Sequence, residues 1–261
     1  MRTENAEYLG EFWLPETPEA KVHGTLTIED GGRVRLKTLG LLVDELDLMN
    51  GKVTEHPRVV GRLHNGDPVT LEDVFYWRRH SFGVPQTTSL QARFALFGLA
   101  LEGSADATFN SITFTTDCLN QWHQKTGVAF ELDEGGDQRK ATIRYEAIDD
   151  VELWSEGEKR LDLTFEWNLS DVGPGTVASV TQYSYLRYSS EERIPIGELT
   201  RAVHWIQHFL SFAIGATVSI TEVSVRSRDD VLTRNGRTLP RPVRLYYRSY
   251  PFTEKPADID R

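Results

Sequence analysis

The sequence contains very little cysteine and no long apolar run, and both absences limit what the protein can be. Cys118 is the single cysteine among 261 residues, so no internal disulfide can form, which suits a reducing compartment. The most apolar stretches, Phe94 to Leu101 and Phe209 to Ala216, are far too short to cross a bilayer. Met1 to Asn5 lacks the apolar core of a signal peptide. We therefore expect a cytoplasmic protein that does not associate with membranes.

Net positive charge is also missing. The formal charge of −10 at pH 7 repels phosphate backbones at long range, so we expect no direct binding of nucleic acid. The segment from Arg226 to Arg261 is the exception, with nine lysines and arginines against five acidic residues. Within it we predict that Arg241, Arg244 and Arg248 form a docking surface for an acidic partner or a following domain. The alternative interpretation is a basic edge strand solvated by water.

Alternation of apolar and polar residues with a period of two is the dominant pattern. Leu161, Leu163, Phe165 and Trp167, for example, alternate with polar residues, which is typical of half-buried strands. Tight-turn dipeptides lie between such runs: Asp30-Gly31, Gly135-Gly136, Glu156-Gly157 and Asn235-Gly236. The sequence therefore predicts a mainly β fold, an antiparallel β-sandwich or barrel-like sheets. We expect one large domain over residues 1–261, β-rich over 1–190 and ending in strands over 216–250.

One dominant helix interrupts this pattern. Pro195 can begin it, and apolar residues recur at helical spacing up to residue 214, so we predict a helix over 195–214 packed on the sheet. A short helical turn is predicted over 117–124, with Asp117 as its cap. Aromatic residues on the apolar side of their local period are predicted to be largely buried; these are Trp13, Trp122, Phe165, Trp167, Phe209 and Phe212.

The histidines of the long helix raise the question of chemistry. His204 and His208 are four residues apart, so both imidazoles could reach one zinc ion, but Trp205 stands where a zinc protease has its glutamate. A structural pair is the favoured interpretation, and we predict no metal site. The spacings from Arg201 to His208 and from Arg58 to His64 resemble those of helical-bundle ribonucleases. A chain with one good helix does not offer that setting, so we predict no catalytic residue.

Three other features have a structural interpretation that outweighs a functional one. The acidic clusters at 44–47 and 131–134 could supply the paired carboxylates of a glycosidase, but solvated loop charge is the default. The run from Phe75 to His80 mixes aromatic and basic residues, and we expect Phe75 and Trp77 in a core with Tyr76 and Arg78 outside. Cys118 is interpreted as a small buried hydrophobe, and no motif predicts a cofactor.

The opening residues carry a resemblance to a known family. Gly10-Glu11-Phe12-Trp13-Leu14-Pro15, followed by Val22-His23-Gly24-Thr25-Leu26, resembles the N-terminal domain of ApeA-type anti-phage defence proteins. Further similar segments cover nearly the whole chain: Ile112 to Phe114, Leu119 to Trp122, Tyr183 to Leu186 and Leu199 to Phe212. In that family a large N-terminal domain precedes a C-terminal HEPN ribonuclease domain, which we expect downstream of Arg261 and which this chain lacks.

The resemblance implies a function that the residues alone do not. It predicts a non-catalytic sensor or regulatory module that recognises a phage protein or other trigger and controls the HEPN domain in abortive infection. A homo-oligomer is a further possible assembly. The alternative is a lectin-like or carbohydrate-active β-sandwich, which an exposed row of aromatics beside a carboxylate pair would favour. A pure scaffold, whose basic C-terminal segment docks the nuclease domain, is the third hypothesis.

Overall fold

A computed structural model of the chain describes residues 1–43, 55–78, 87–103, 105–132, 141–169, 179–234 and 237–248. The chain divides into two compact units. Unit 1 comprises Met1–Thr108, Glu222–Arg226 and Asp230–Arg261, and unit 2 comprises Phe109–Thr221 and Ser227–Asp229. The predicted mainly β fold is confirmed in its barrel-like form. That the whole chain acts as one domain stays a prediction.

Unit 1 contains a closed barrel of six antiparallel strands. Their bounds are β1 Ala6–Trp13, β2 Val22–Glu29, β3 Arg33–Leu39, β4 Glu55–Leu63, β5 Pro68–Arg78 and β6 Thr87–Phe97. The order is β6-β3-β2-β1-β4-β5, and pairing of β5 with β6 closes the ring. Closure removes the exposed strand edges that otherwise invite aggregation. The predicted Asp30-Gly31 turn joins β2 to β3, where Gly31 and Gly32 both adopt positive φ.

The opening motif of the sequence has a packing role inside this barrel. The side chain of Phe12 is fully buried, and its ring lies against Gly24 of β2 and Gly61 of β4. A Cβ atom at Gly61 would approach Phe12 Cδ1 to 2.5 Å, and one at Gly24 would approach Phe12 Cδ2 to 3.2 Å. A Cβ atom at Gly10 would approach the carbonyl oxygen of Arg62 to 2.6 Å. Glycine is therefore required where the strands pass the ring.

Four further strands follow in the C-terminal part of the chain. They are β13 Ile220–Arg226, β14 Val231–Arg234, β15 Arg237–Pro240 and β16 Val243–Tyr247. β16 lies between β6 and β13, and β14 forms a separate hairpin with β15. Val243, Leu245 and Tyr247 are buried, as expected for the inner face of a strand. Desolvation raises the pKa of Tyr247, whose side chain is enclosed by protein.

Unit 2 is a second β structure and contains both of the helices found among the described residues. Its elements are β7 Thr108–Thr116, α1 Leu119–His123, β8 Val128–Leu132, β9 Ala141–Tyr145, β10 Val151–Glu156, β11 Lys159–Leu169, β12 Val180–Pro195 and α2 Ile196–Ile214. The strand order is β10-β11-β12-β7, and β8 pairs with β9 as a hairpin. Gly157, with positive φ, turns β10 into β11 as the Glu156-Gly157 dipeptide predicts. The turns at 135–136 and 235–236 lie outside the described residues.

Both helices occur where the sequence predicts them. The long helix α2 begins after Pro195, the N-cap residue, and ends at Gly215, whose φ of 72° suits glycine. Gln207 donates to the carbonyl of Val218, so the segment leaving the helix is held against it. The short helix α1 is the predicted turn near 117–124, but its N-cap is Cys118 and not Asp117, whose carboxylate instead accepts from the backbone amide of Ser219. Among the described residues, no helix is long and apolar enough to cross a membrane.

The predicted burial of six aromatic side chains is largely wrong. Trp13 is buried and Phe165 is half-buried. The other four side chains are exposed, namely those of Trp122, Trp167, Phe209 and Phe212. Three side chains share one face of β11: Leu163 is buried, Phe165 is half-buried and Trp167 is exposed. The end of the strand therefore extends past the core. Periodicity gives the face of a side chain but not the extent of the layer that covers that face.

Candidate interaction surface

The helix α2 is apolar on both sides, and its outer side forms a row of aromatic rings. Leu199, Val203 and Leu210 fill the inner side and are buried. Trp205, Phe209 and Phe212 follow the i, i+4, i+7 spacing of one helix face and are 68%, 63% and 87% exposed. We call these three residues the α2 ridge. Single exposed apolar residues are normal on a protein surface, whereas a contiguous exposed cluster such as this one marks an interaction site.

Removal of ridge side chains should leave the fold intact. We expect Phe209→Ser combined with Phe212→Ser to change the free energy of unfolding by less than about 1 kcal/mol, because exposed positions contribute little to stability. Urea unfolding at low protein concentration, followed by far-UV circular dichroism, measures this. A loss of several kcal/mol would show that the two rings belong to the core of unit 2.

The histidine pair lies on the same helix as the ridge, and its two rings hydrogen-bond to each other while Nδ1 of His204 is buried without a hydrogen-bond partner among the described residues. Nε2 of one ring donates to Nε2 of the other across 2.8 Å, with the ring planes nearly perpendicular. Burial, and then the neighbouring His208, lower the pKa of His204, so the neutral form of this imidazole is favoured at neutral pH. Within the described part of the chain, no group of three or more histidine, cysteine or acidic side chains could hold a metal ion. Arg201 is exposed on the same helix, with no second helix of comparable length beside it in the described residues.

A second aromatic surface lies on the β8–β9 hairpin and the end of β11. Phe130 and Ile143 are cross-strand partners, and Phe130 is 60% exposed. Trp167, 53% exposed, packs on Tyr145 with a ring-centroid distance of 5.0 Å. We call these four residues the hairpin patch. Tryptophan and tyrosine combine a rigid ring with a polar edge, and both are enriched where proteins bind one another.

Backbone contacts fix the hairpin relative to β12. Gln182 accepts a hydrogen bond from the backbone amide of Gly127 and donates one to the carbonyl of Lys125. The side-chain amide of Gln182 therefore holds the segment before β8 through both its oxygen and its nitrogen. A Cβ at Gly127 would overlap the carbonyl oxygen of Glu146, so the chain passes closely there. The patch is held on a defined support, which favours specific recognition over loose association.

A charged network covers the polar face of β10, β11 and β12. Asp162 is only 2% exposed, and its carboxylate accepts hydrogen bonds from both Arg160 and Arg187. Arg187 also pairs with Asp150 at 2.8 Å, and Arg160 with Glu152 at 3.3 Å. One buried acid thus ties three strands together through two guanidinium groups. Such a carboxylate stays favourable only because it is fully hydrogen-bonded.

A cavity of about 430 Å³ opens beside this network. It is lined by charged and hydroxyl side chains: Ser155, Glu158, Lys159, Arg160, Asp162, Arg187, Ser189, Ser190, Glu191 and Arg228, together with Gly157. Lys159 pairs with Glu198 at 3.4 Å, and Arg160 and Arg187 share Asp162. Carboxylates therefore accompany these cations, and the cavity does not single out an anionic ligand.

The docking candidates of the C-terminal segment differ in exposure. Arg244 is exposed and its guanidinium lies 5.0 Å from the ring centroid of Tyr246. Arg248 follows the end of β16 and is also exposed, whereas Arg241 is half-buried and its backbone amide donates to the carbonyl of Asp230. Tyr246, between the two exposed arginines, is buried, and desolvation raises its pKa to about 12. Arg244 therefore covers an aromatic ring as well as presenting charge.

Two of the remaining candidates of the sequence are structural. Arg58 is buried and pairs with Glu72, while His64 lies exposed in the turn after β4, so the nuclease-like spacing brings no site together. Tyr76 is half-buried and its hydroxyl contacts His56 Nε2 at 2.8 Å, which corrects the expectation that it lies outside. Burial raises the pKa of Tyr76 to about 12 and lowers that of His56.

The other candidates are only partly described. Cys118 is half-buried and contacts the hydroxyl of Thr116 at 3.6 Å. Glu131 is exposed on β8. The acidic cluster at 44–47, residues 133–134, the side chains of Trp77 and Arg78, and residues 79–80 lie outside the described residues.

Sequence reasoning missed both aromatic surfaces. The α2 ridge had a signal, because a helix with apolar residues around most of its circumference exceeds what one sheet face can cover. The hairpin patch gave no such signal in the sequence. Phe130 and Ile143 lie on the apolar side of their local alternation, where a buried side chain is expected.

Comparison with known proteins assigns the chain to a family. The family model described as ApeA N-terminal domain 1 matches residues 7–259, which is nearly the whole chain. No curated protein matches the sequence, and no solved structure matches it.

Proposed function

The chain belongs to the ApeA N-terminal domain 1 family, and on that premise we propose that it is the regulatory recognition module of a bacterial anti-phage defence protein. The module is non-catalytic and acts in the cytoplasm. It binds a phage-derived protein trigger and controls a C-terminal HEPN ribonuclease in abortive infection. The hairpin patch is the observation that carries the recognition role.

The composition of the patch fits a protein partner. Phe130, Ile143, Tyr145 and Trp167 place three aromatic rings and one branched side chain on a supported surface of unit 2. Interface energy concentrates in a few such aromatic side chains surrounded by weaker contacts. Among the described residues, burial raises the pKa of one carboxyl group, that of Glu72, which belongs to unit 1 and pairs there with Arg58. The patch therefore supports binding rather than the acid–base chemistry of a glycosidase.

The exposed arginines of the C-terminal segment support a second contact. Arg244 and Arg248 form the nearest described surface, in sequence, to a domain that would follow Arg261. We propose that they, with Arg241, dock the HEPN domain or an acidic partner. Individual exposed ion pairs contribute less than about 1 kcal/mol, so the contact requires several arginines together and weakens as salt is added.

The test of the recognition role is phage protection by the complete protein in cells. We expect Phe130→Glu combined with Trp167→Glu to abolish protection, because loss of one interface hot spot costs about 2 kcal/mol, or roughly 30-fold in affinity. Leu9→Glu is the matched control, since Leu9 is an equally exposed apolar residue of β1 in unit 1, and it should retain protection.

Two outcomes would contradict the proposal. Full protection by the double variant, at a protein level equal to that of the parent, would exclude the hairpin patch as the trigger site. Quenching of Trp167 fluorescence by soluble oligosaccharides would favour the lectin-like alternative, because sugar rings stack on exposed indoles.

A further inference from the structure

The α2 ridge has the residue spacing of a helix-pairing seam. Ala202, Trp205, Phe209 and Phe212 follow one another at intervals of three and four residues within α2. This alternation places side chains along one line of a helix and is the pattern by which two helices interlock. The opposite face of α2 is already occupied by buried contacts within unit 2, through Leu199, Val203 and Leu210. The seam therefore faces away from the core of its own unit.

We infer that two copies of this chain associate by packing their α2 ridges against each other in antiparallel orientation. A two-fold axis midway between Trp205 and Phe209 sets Trp205 of each copy against Phe209 of the other. The same register sets Ala202 against Phe212 of the other copy, so the most exposed ring meets a small residue. The surface is thus self-complementary in shape, as a two-fold interface requires.

The charges beside the ridge favour the same orientation. Arg201 of each copy comes to lie beside Ala213 of the other, close to the last turn of that helix. The last turn of α2 contains no basic residue of its own, and the carbonyl groups there carry partial negative charge. In this register Glu198 lies level with the segment just after Gly215 of the other copy, which carries no acidic residue, so no like charges meet. A parallel pair would instead oppose Arg201 to Arg201 and Phe212 to Phe212.

The size of the ridge predicts a weak dimer. Each aromatic side chain can bury about 150–250 Å², and the exposed fractions of the three rings leave roughly 450 Å² to be covered on each copy. The total for two copies is near 1,000 Å², the lower limit for a specific interface. The association is therefore expected at micromolar concentrations and not below. The inference rests on the α2 ridge and is independent of the hairpin patch.

Analytical ultracentrifugation of the 261-residue chain from about 1 to 500 µM tests the association. We expect a concentration-dependent monomer–dimer equilibrium, and we expect Phe209→Glu and Phe212→Glu each to abolish it with an unchanged circular dichroism spectrum. Phe130→Glu, in the hairpin patch, is the control and should dimerise like the parent. A parent chain that stays monomeric at all concentrations, or a dimer that survives both ridge substitutions, would overturn the inference.

Disulfide trapping tests the orientation. In a Cys118→Ser background, chains carrying Ala202→Cys are mixed with chains carrying Phe212→Cys. The mixture should cross-link at least tenfold faster than either variant alone, because like positions lie about 15 Å or more apart along an antiparallel pair. Faster cross-linking of either variant with itself would overturn the antiparallel arrangement.

Discussion

Replacement of Arg58 by alanine is expected to lower the free energy of unfolding by about 3–5 kcal/mol, since removing one partner of a buried ion pair leaves an uncompensated charge. The Arg58 side chain is only 6% exposed and pairs with Glu72. Its other nitrogens donate to the carbonyls of Gly103 and Ala105, the latter at 2.8 Å. One guanidinium thus holds β4, β5 and the segment after β6, and urea unfolding at pH 7 measures its contribution.

The cost of Arg58→Ala should depend on pH with a defined sign. Burial raises the pKa of Glu72, and the guanidinium of Arg58 opposes that rise. Without Arg58 the folded-state pKa rises further above the unfolded value, so the folded variant binds more protons. The stability that protonated Glu72 contributes is then fully present below its unfolded-state pKa. That contribution is lost as the pH rises through its folded-state pKa. The variant should therefore be closest to the parent below about pH 4.3, the ordinary pKa of a glutamate, and should fall increasingly behind it as the pH rises.

Arg93→Ala provides the matched control for this experiment. Arg93 pairs with Asp73 at 3.4 Å on the surface of the same barrel, and both side chains are about half exposed. Exposed pairs contribute less than about 1 kcal/mol. If Arg58→Ala destabilised the protein no more than Arg93→Ala, the buried pair would not be a support of the barrel.

Local patterns predicted the elements of this fold well. The period of two identified β11, Pro195 marked the beginning of α2, and Asp30-Gly31 marked the hairpin between β2 and β3. These features depend on residues close in sequence, whose preferences act on a short segment of backbone. Closure of the barrel also depends on β1 pairing with β4 and on β3 pairing with β6, and no short-range signal encodes pairings between strands so far apart in sequence.

The candidate surfaces were harder to predict because exposure is a property of the whole fold. Trp167 and Leu163 occupy equivalent positions of one alternation, yet one is exposed and the other buried. The difference arises from what covers each end of β11, which includes elements far away in sequence. Arg58 shows the converse: an arginine is seldom fully buried, and the burial of this one depends on Glu72 and on carbonyls more than 40 residues later. Side-chain chemistry alone does not reveal such partners.

Phe12→Ala is expected to cost about 3–5 kcal/mol, because it empties a fully buried site at the centre of the barrel. The more informative variant is Gly61→Ala, whose new methyl group would lie 2.5 Å from Cδ1 of the Phe12 ring. Overpacking of this kind costs about 1–3 kcal/mol. Urea unfolding of both single variants gives the two costs.

The decisive measurement is the coupling between these two positions. Gly61→Ala should cost less in a Phe12→Leu background than in the parent, because the leucine side chain vacates the edge that the aromatic ring occupies. Gly197→Ala is the control, since a Cβ at that helical position meets no atom within 4 Å and should leave stability unchanged or raise it by about 0.5–1 kcal/mol. Additive costs at positions 12 and 61 would mean that ring and methyl group do not compete for space. A coupling above about 0.5 kcal/mol would instead assign the glycines that flank Phe12 to the packing of one aromatic ring between two strands.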